Sequence, residues 1–348
     1  MAYTDIDDPS AYFQTLTYTG NGANDRALVN DGNSDLQPDW IWFKERNSTS
    51  VHQVLDSSRG VNKALSPNDN GADETYAYLS SFDSNGFTFD QSDGSTNDNN
   101  NTFVAWQWKA NGGTTTTNDA SATGIGNTDS VYQANTEAGF SIVTFSGTGS
   151  GMTVAHGLGG TPTLIISKSR NDTENWAVHT TVIDGSLDYL ILSNTDAKGN
   201  SGFSLPTSTV FGYNGSNNYV AYCFRSIQGY SKIGTYVGNG TGANSAADGT
   251  FVYTGFKPAW VMAKATTVAQ GWNMFDNTRT PINEMGAFLY ANTADAETTG
   301  YDSMDFLSNG FKLRKNLNGA NDSGQTYIYY AIAEHPFVSS KGVPTTAR

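Results

Sequence analysis

The stretch that decides the fold is Pro258-Ala259-Trp260-Val261-Met262-Ala263-Lys264, a proline followed by an apolar run and a lysine. The same pattern occurs at Pro38-Asp39-Trp40-Ile41-Trp42-Phe43-Lys44 and at Pro162-Thr163-Leu164-Ile165-Ile166-Ser167-Lys168, with the lysine six residues after the proline each time. Short apolar runs rich in β-branched and aromatic residues are typical of buried strands. The pattern therefore predicts one buried strand that occurs three times in the chain.

Three further landmarks surround this strand, always in the same order. A short strand ending in glycine comes before it, and a Gly-Phe pair and then an aromatic strand come after it. They lie at residues 17–20, 86–87 and 102–106, at 144–147, 202–203 and 218–222, and at 235–238, 310–311 and 327–331. Four landmarks that recur three times in one order predict three copies of one unit of roughly a hundred residues.

Composition and turn signals favour an all-β chain. Aromatic residues make up 12% and charged residues 15% of the sequence, and 37 glycines accompany many Asn, Asp, Ser and Thr residues. Aromatic and β-branched residues suit pleated sheets, whereas Gly, Asn and Asp suit the turns between strands. No stretch longer than a few residues has the period of an amphipathic helix. We therefore predict three tandem antiparallel β-sandwich units of jelly-roll type.

The landmarks also place the boundaries of the units. We predict an N-terminal docking arm over residues 1–10, a first unit over 11–110, a flexible linker over 111–136, a second unit over 137–229, a third unit over 230–337 and an exposed tail over 338–348. The linker is predicted because this stretch is rich in glycine and threonine and poor in apolar residues. We expect the first unit to sit apart and the other two to pack as one body.

Charge and cysteine content limit the partners and the compartment. A formal net charge of −14 repels nucleic acid and anionic lipid, so neither is expected as a partner. Cys223, the single cysteine, lies in an apolar run and is expected to be a buried, inert thiol. The acidic N-terminus does not resemble a signal peptide, and no apolar stretch is long enough to span a membrane. We expect synthesis in a cytoplasm and an exterior location reached by assembly into a particle.

Six side chains are candidates for contact at the surface, namely Trp106, Trp108, Asp56, Arg59, Asp276 and Arg279. The two tryptophans share a strand face; burial in a core is our interpretation of them, and stacking of exposed rings on sugars is the alternative. Each Asp precedes its Arg by three residues and follows the landmark lysine by twelve. Such a pair could be a catalytic acid and its partner, but a tight turn closed by an ion pair is our interpretation.

The landmark lysines Lys44, Lys168 and Lys264 could bind an anion or form a Schiff base. We interpret them instead as strand ends whose stems cover tryptophan faces, because an active site is usually needed only once. Carboxylates for a glycosidase are present, but nothing in the sequence pairs two of them across a sugar. No catalytic or cofactor-binding residue is therefore predicted.

Metal binding has only weak candidates. The four histidines do not have the spacing of metal ligands. Two acidic clusters could hold Ca²⁺ through carboxylate oxygens, although neither matches an EF-hand loop. They consist of Asp69, Asp73 and Glu74, and of Asp90, Asp93 and Asp98. No resident metal is predicted, and Ca²⁺ remains open.

Several blocks of the chain resemble a group of phage virion proteins from marine and cyanobacterial phages. One is Gly255-Phe256-Lys257-Pro258-Ala259-Trp260-Val261-Met262, followed by an Asp-x-x-Arg turn that ends at Arg279. Two others are Phe306-Leu307-Ser308-Asn309-Gly310-Phe311-Lys312-Leu313 and Ala331-Ile332-Ala333-Glu334-His335-Pro336-Phe337. The resemblance covers nearly the whole chain and is weakest in the linker.

The resemblance implies a non-enzymatic virion structural protein, a tail fibre or other appendage subunit that contacts the host surface. It implies other virion proteins as partners, a homo-oligomer that is a trimer by analogy with appendages, and weak repeated contact with a host surface glycan. It carries over no catalytic residue. The alternatives are a glycan-binding lectin-like adhesin, a capsid-decorating or neck protein and a polysaccharide depolymerase.

Overall fold

The computed structural model describes residues 3–91, 93–240, 248–315 and 319–345, and these residues form antiparallel sheets almost throughout. The described helical turns are a 3₁₀ turn at Pro9–Ala11 and one α-helix, α1, at Ala120–Thr123. Neither has the length or the apolar character that a membrane crossing requires. The all-β class predicted from the sequence is confirmed.

The first segment, residues 11–110, contributes a larger and a smaller sheet. Its strands are β1 (Phe13–Thr19), β2 (Ala27–Val29), β3 (Trp40–Glu45), β4 (Gln53–Asp56), β5 (Lys63–Leu65), β6 (Glu74–Thr75), β7 (Leu79–Asp83), β8 (Gly86–Phe89) and β9 (Thr102–Trp108). The larger sheet has the order β1-β9-β3-β4-β5-β6, and the smaller has the order β2-β8-β7.

The second segment, residues 137–229, combines with the residues before it in the same way. The strands are β10 (Thr116–Asn118), β11 (Ser130–Asn135), β12 (Phe140–Ser146), β13 (Gly149–Ala155), β14 (Leu164–Ser169), β15 (Ala177–Thr180), β16 (Asp188–Ile191), β17 (Gly199–Asn200), β18 (Val210–Gly215) and β19 (Asn218–Phe224). The larger sheet has the order β10-β11-β12-β19-β14-β15-β16-β17, and β13 pairs with β18.

The third segment, residues 230–337, again contributes two sheets. The strands are β20 (Ser231–Val237), β21 (Phe251–Tyr253), β22 (Phe256–Ala265), β23 (Asn273–Asp276), β24 (Leu289–Tyr290), β25 (Met304–Leu307), β26 (Gly310–Leu313) and β27 (Thr326–Pro336). The larger sheet has the order β20-β27-β22-β23-β24, and the smaller has the order β21-β26-β25. In all three larger sheets, the aromatic strand pairs with the glycine-ending strand on one side and the landmark strand on the other.

One shared core joins the three larger sheets. Their inner faces bring Trp40 and Trp106, Ile166 and Tyr222, and Met262 into a single buried cluster. The opposite faces form three separate clusters, each between a larger sheet and its smaller sheet. Both faces of the landmark strands are therefore covered, so every residue of β3 and β14 is buried and their sequences do not alternate between polar and apolar.

The shared core corrects the expectation that the first segment sits apart. Trp108 of the first segment packs edge-on against Trp260 of the third, with ring centroids 5.6 Å apart. Trp40 stacks on Tyr222 of the second segment at 4.6 Å. The tryptophans of the first segment therefore contact both other segments.

Residues 111–136 are ordered, so the prediction of a flexible linker is wrong. They contain β10, α1 and β11, and β11 pairs with β12 along its full length. The buried carboxylate of Asp39 accepts backbone N–H bonds from Ala110 (2.8 Å), Gly112 (2.8 Å) and Gly113 (2.7 Å). Polar composition indicated flexibility, but these hydrogen bonds and the strand pairing hold the segment in place.

The terminal arm and tail contact the rest of the chain. In the described part of the predicted docking arm, which excludes residues 1 and 2, Ile6 is buried and the Tyr3 hydroxyl donates to the Gly255 carbonyl at 2.7 Å. The tail is exposed over residues 341–345, and its Ser340 backbone N–H donates to Asp7 at 2.6 Å. The arm therefore lies against the third segment.

One landmark does not form the same element each time. The Gly-Phe pair begins β8 in the first segment and β26 in the third. In the second segment, Gly202-Phe203 lies outside the strands, and β18 is the partner of β13 there. The smaller sheet of the second segment is therefore built differently.

Candidate functional site

The six side chains that the sequence indicated as surface contacts are all buried. Trp106 is 0% and Trp108 1% exposed, and the side chains of both Asp-Arg pairs are 0% exposed. The prediction of surface contact is therefore wrong for these residues. Their inward position follows from the shared core, which the sequence did not reveal.

The first Asp-Arg pair closes a turn and also joins two segments. Asp56 Oδ1 accepts the backbone N–H of Arg59 at 2.8 Å, and Asp56 Oδ2 accepts Arg59 Nε at 2.5 Å. The hydroxyl of Tyr222, on β19 of the second segment, donates to Asp56 Oδ2 at 2.7 Å. The ion pair expected from the sequence is present. The hydrogen bond from Tyr222 of the second segment was not expected from the sequence.

The second Asp-Arg pair repeats this arrangement between the third and first segments. Asp276 accepts the backbone N–H (2.8 Å) and Nε (2.5 Å) of Arg279. Trp106 Nε1, on β9 of the first segment, donates to Asp276 Oδ2 at 2.9 Å, and the guanidinium lies 5.4 Å from the Trp106 ring centroid. Trp106 and Tyr222 occupy matching positions, opposite Trp42 and Ile166 in the register of their sheets.

A second carboxylate completes each of these two junctions. Asp73 accepts Arg59 Nη1 at 2.8 Å and Arg170 Nε of the second segment at 3.0 Å. Glu297 accepts Arg279 Nη1 at 2.8 Å and Arg46 Nη2 of the first segment at 2.9 Å. Each junction thus balances two arginines with two carboxylates.

Burial and the neighbouring charges act in opposite directions on these groups. For Glu297, burial raises the pKa, but the hydrogen bonds and charges of Arg46 and Arg279 outweigh it and leave the pKa below its ordinary value. For Arg59, burial lowers the pKa, but the charges of Asp56 and Asp73 and the hydrogen bond with Asp56 outweigh it and raise the pKa. Both groups therefore stay charged at neutral pH.

The junction between the second and third segments lacks the Asp-Arg pair. Thr180 pairs with Leu164 in the register where Asp56 pairs with Trp40 and Asp276 with Trp260. Ile183 stands three residues later and packs against the shared core. The second segment therefore replaces the ion pair with a hydroxyl and an apolar side chain.

Two backbone hydrogen bonds recur at all three junctions, at 2.7 to 3.0 Å. In the first set, Asp73, Lys198 and Glu297 donate to the carbonyls of Arg170, Thr266 and Arg46. In the second set, Glu174, Gln270 and Ser50 donate to the carbonyls of Asn70, Thr195 and Ala294. The first segment thus contacts the second, the second contacts the third, and the third contacts the first through matching positions.

A ring N–H also crosses each junction. Trp176 Nε1 donates to the Ser66 carbonyl at 2.9 Å, and Trp272 Nε1 donates to the Ile191 carbonyl at 2.8 Å. His52 has the matching role in the first segment, where its Nε2 lies 3.0 Å from the Tyr290 carbonyl and 3.1 Å from that of Thr293. The contacts are therefore cyclic even where the residue type differs.

The landmark lysines are buried beside these junctions. The ammonium groups of Lys44, Lys168 and Lys264 donate to the carbonyl of the following residue at 2.6 to 2.8 Å. Burial lowers the pKa of each to about 8, against the raising effect of nearby carboxylates. The same lysine environment thus occurs once per segment.

At least four of the six carboxylates considered for Ca²⁺ have other partners. Asp73 pairs with two arginines, and Asp69 accepts the Gly71 backbone N–H at 2.9 Å. Asp93 accepts the Ser95 backbone N–H at 2.8 Å, and Asp98 accepts that of Asn99 at 2.9 Å. Across the described residues, no three His, Cys, Asp or Glu side chains gather as a metal site.

Comparison with known proteins gives one match. A model of the family described as "Domain of unknown function (DUF7483)" matches residues 8–336. No curated protein and no solved structure matches the chain.

Proposed function

We propose that this chain, which belongs to the DUF7483 family, is a non-enzymatic structural protein of a phage particle. We assign it to a tail fibre or similar appendage on the particle exterior, where it contacts other virion proteins and the host surface. The resemblance of its repeated blocks to phage virion proteins supports this role. Its net charge of −14 suits an exterior protein that does not bind nucleic acid.

One observation carries the proposal. Equivalent positions of the three segments form the contacts between them, and these contacts join the first segment to the second, the second to the third and the third to the first. The recurrent lysines, the aromatic strands and the two Asp-Arg pairs all lie at or beside the junctions. A catalytic or binding site would need such side chains at the surface, but here they are buried and hold the segments together. Three segments joined in this way suit a structural component of a particle.

We further propose that the three segments are tandem repeats of one antiparallel β-sandwich. The shared strand order of the larger sheets and the three separate clusters beneath them support this reading. The paired sheets are unequal, with six and three, eight and two, and five and three strands. The described strands thus number nine, ten and eight, so only the third segment has the eight strands of a jelly roll, and it divides them unequally between its two sheets.

The cyclic arrangement bears on the expected trimer. One chain already places three related segments around one core, which is the geometry that a homotrimer would otherwise supply. We therefore propose that the threefold arrangement is internal to the chain and that its partners are other virion proteins.

Antibody labelling of purified particles of the encoding phage tests this function. Label on the tail or its appendages is the expected result. Label on the head shell would overturn the appendage assignment in favour of a capsid-decorating protein. Absence of the chain from purified particles, checked by mass spectrometry, would overturn the structural role altogether.

A further inference from the structure

We propose that the cyclic arrangement of the three segments opens at one place, the junction between the second and third segments. We call this junction the seam; its hydrogen bonds join residues 191–198 of the second segment to residues 266–272 of the third. The proposal rests on a comparison of the three junctions and does not depend on the virion role.

Ion pairs cross the other two junctions. Between the first and second segments, Arg170 Nε lies 3.0 Å from a carboxylate oxygen of Asp73. Between the third and first segments, Arg46 Nη2 lies 2.9 Å from a carboxylate oxygen of Glu297. Partly buried pairs of this kind hold two segments together, because separating them leaves a charge without its partner.

At the seam, the side chains in the same positions bond within their own segment. The Lys198 backbone N–H donates to the Thr266 carbonyl, as the equivalent groups do at the other junctions. The Lys198 ammonium, however, pairs with Asp184 at 2.9 Å and with Asp188 at 2.7 Å. The Thr266 hydroxyl donates to the Thr326 carbonyl at 2.9 Å. In the described part of the chain, no ion pair therefore joins the second segment to the third.

The aromatic strands show the same difference. At the other two junctions, an aromatic side chain donates to the carboxylate of an Asp-Arg pair. At the seam, Tyr330 holds the aromatic position, opposite Met262. Thr180 stands in the place of the aspartate, and its hydroxyl donates to the Thr163 carbonyl at 2.8 Å. The Thr180 hydroxyl is therefore used inside the second segment.

Additional chain segments hold the other two junctions. Between the first and second segments, β11 places Gln133 Nε2 2.8 Å from the Ser57 hydroxyl. Between the third and first segments, the N-terminal arm lies on the third segment, where the Tyr3 hydroxyl donates to the Gly255 carbonyl at 2.7 Å. At the seam, residues 225–230 connect the strands on either side and form a turn. They add no strand to either larger sheet.

Away from this connecting turn, three described hydrogen bonds and apolar packing hold the seam. Two are the backbone bonds of 2.7 and 3.0 Å, and in the third Trp272 Nε1 donates to a carbonyl of the second segment at 2.8 Å. Phe224 packs against Tyr330 with ring centroids 5.0 Å apart. The Asp196 charge acts across the seam on Lys264, where it opposes the lowering of the pKa by burial. Opening the seam breaks neutral hydrogen bonds and apolar contacts, which costs less than leaving a buried charge unpaired.

Hydrogen exchange of the full chain, resolved by NMR for individual amides, tests the proposal. Two backbone amides cross each junction at matching positions, namely Lys198 and Gln270 at the seam, Asp73 and Glu174 between the first and second segments, and Glu297 and Ser50 between the third and first. After correction for intrinsic rates, we expect the two seam amides to exchange at least about tenfold faster than the other four. The two should share one dependence on urea, because a single opening exposes both.

A matched pair of variants separates the seam from the junction between the first and second segments. Trp272→Phe removes a ring N–H donor at the seam, and Trp176→Phe removes the equivalent donor at the other junction. Trp272→Phe should speed exchange of the two seam amides by about two- to tenfold, the effect of one lost hydrogen bond. Trp176→Phe should speed exchange at its own junction less, because the ion pair of Arg170 and Asp73 remains.

Each other outcome overturns the proposal. Equal protection of the six amides in the wild type would show that no junction opens first. Faster exchange at either of the other junctions would place the opening there. Different rates or urea dependences for Lys198 and Gln270 would assign their exchange to separate fraying of two loops. An equal effect of Trp176→Phe at its own junction would show that the ion pairs do not hold the segments together. The comparison of the six wild-type amides decides the proposal even where a variant fails to fold.

Discussion

The Asp-Arg pairs place four full charges where water does not reach. Removing an ion from water is costly, and a buried pair stabilises a fold only when its remaining hydrogen-bonding groups are satisfied. Asp276 meets this condition through three donors, one of them Trp106 of another segment. The second segment has Thr180 and Ile183 at the same place, so a junction can form without such a pair. We infer that they fix the register of one segment against the next.

Replacing Asp276 with Asn tests the energetic importance of the pair. The substitution leaves Arg279 buried with Glu297 as its remaining carboxylate, and it weakens the contact with Trp106. We expect the free energy of unfolding to fall by about 3–5 kcal/mol, the range for breaking a buried pair. Urea denaturation followed by tryptophan fluorescence measures the change.

Asp248→Asn is the matched control for this prediction. The Asp248 carboxylate also pairs with a cation, Lys312, but its side chain is 95% exposed. Solvent screens such a pair, so the control should unfold like the wild type. A similar loss in both variants would contradict the role of burial.

His52 makes stability sensitive to acid. Its Nδ1 accepts Trp42 Nε1 at 2.8 Å, so the ring must be neutral, with its proton on Nε2. Burial and the Lys44 charge lower its pKa to about 3. The unfolded chain, with an ordinary histidine pKa near 6.5, binds this proton first as the pH falls, so stability is lost from pH 6.5 downwards.

The His52→Gln variant measures this contribution. Between pH 6 and pH 4, the slope of unfolding free energy against pH should be shallower than in wild type by up to about 1.4 kcal/mol per pH unit. His156 and His179, whose pKa values burial lowers to about 4, retain part of the slope in both proteins. An unchanged slope in His52→Gln would refute the assignment.

At the scale of elements, the second segment is distinguished by the strands that precede it. Strand β11 extends the larger sheet, and Gln133 on it donates to Ser57 Oγ (2.8 Å) and Ser58 Oγ (2.7 Å) of the first segment. The connection between two segments is therefore part of both. Its glycines permit the turns that bring residues 110–113 onto Asp39, with φ of 61° at Gly112 and 77° at Gly113.

Hydrogen exchange tests whether β11 is a stable strand. We expect the amides of Val131 and Gln133, which pair with β12, to exchange as slowly as those of β12 itself. Fast exchange throughout 111–136 would restore the interpretation of a flexible linker.

The Asp39→Ala variant tests whether the hydrogen bonds to Asp39 order the residues that precede β11. It removes the acceptor of three backbone N–H groups and should lower the free energy of unfolding by about 1–3 kcal/mol. Protection should decrease first in residues 110–118 if the anchor orders this stretch. Exchange mass spectrometry distinguishes this local effect from a uniform loss of protection.

At the scale of the whole molecule, the shared core makes the segments interdependent. In an open array of repeats, each unit contacts only its neighbours along the chain. Here the third segment also contacts the first, so the arrangement closes on itself. The inner faces of the larger sheets are covered only when all three segments are present.

A chain truncated after residue 229 tests this closure. It would expose Trp106, Trp108 and the rest of the inner faces to solvent, so we expect it to bind a hydrophobic dye and to lose near-ultraviolet circular dichroism. The full chain should unfold in one cooperative transition. A truncated chain with native-like spectra would show that the segments fold independently.

Light scattering after size exclusion tests the internal threefold arrangement. We expect a monomer with a mass near the 37.3 kDa of the single chain, because its largest apolar faces are already buried. A stable species of three times that mass would show that the protein is a homotrimer and would contradict this expectation.

The sequence alone determined the local structure of this protein. Strand and turn preferences act over a few residues, so the landmark strands, the all-β class and the Asp-Arg turns could be predicted from residue type and spacing. The recurrence of the landmarks also indicated three related segments, whose larger sheets share one strand order.

Only the tertiary structure decided what covers each face of the landmark and aromatic strands. A tryptophan strand suits an exposed contact surface and a shared core equally well, because periodicity describes alternation within one sheet and not the body packed against it. The positions of Trp106, of Asp276 and of the supposed linker depend on contacts between residues far apart in sequence, such as the 170 positions between Trp106 and Asp276. Those contacts form only when three segments close around one core, and that closure assigns the candidate contact residues to the interior.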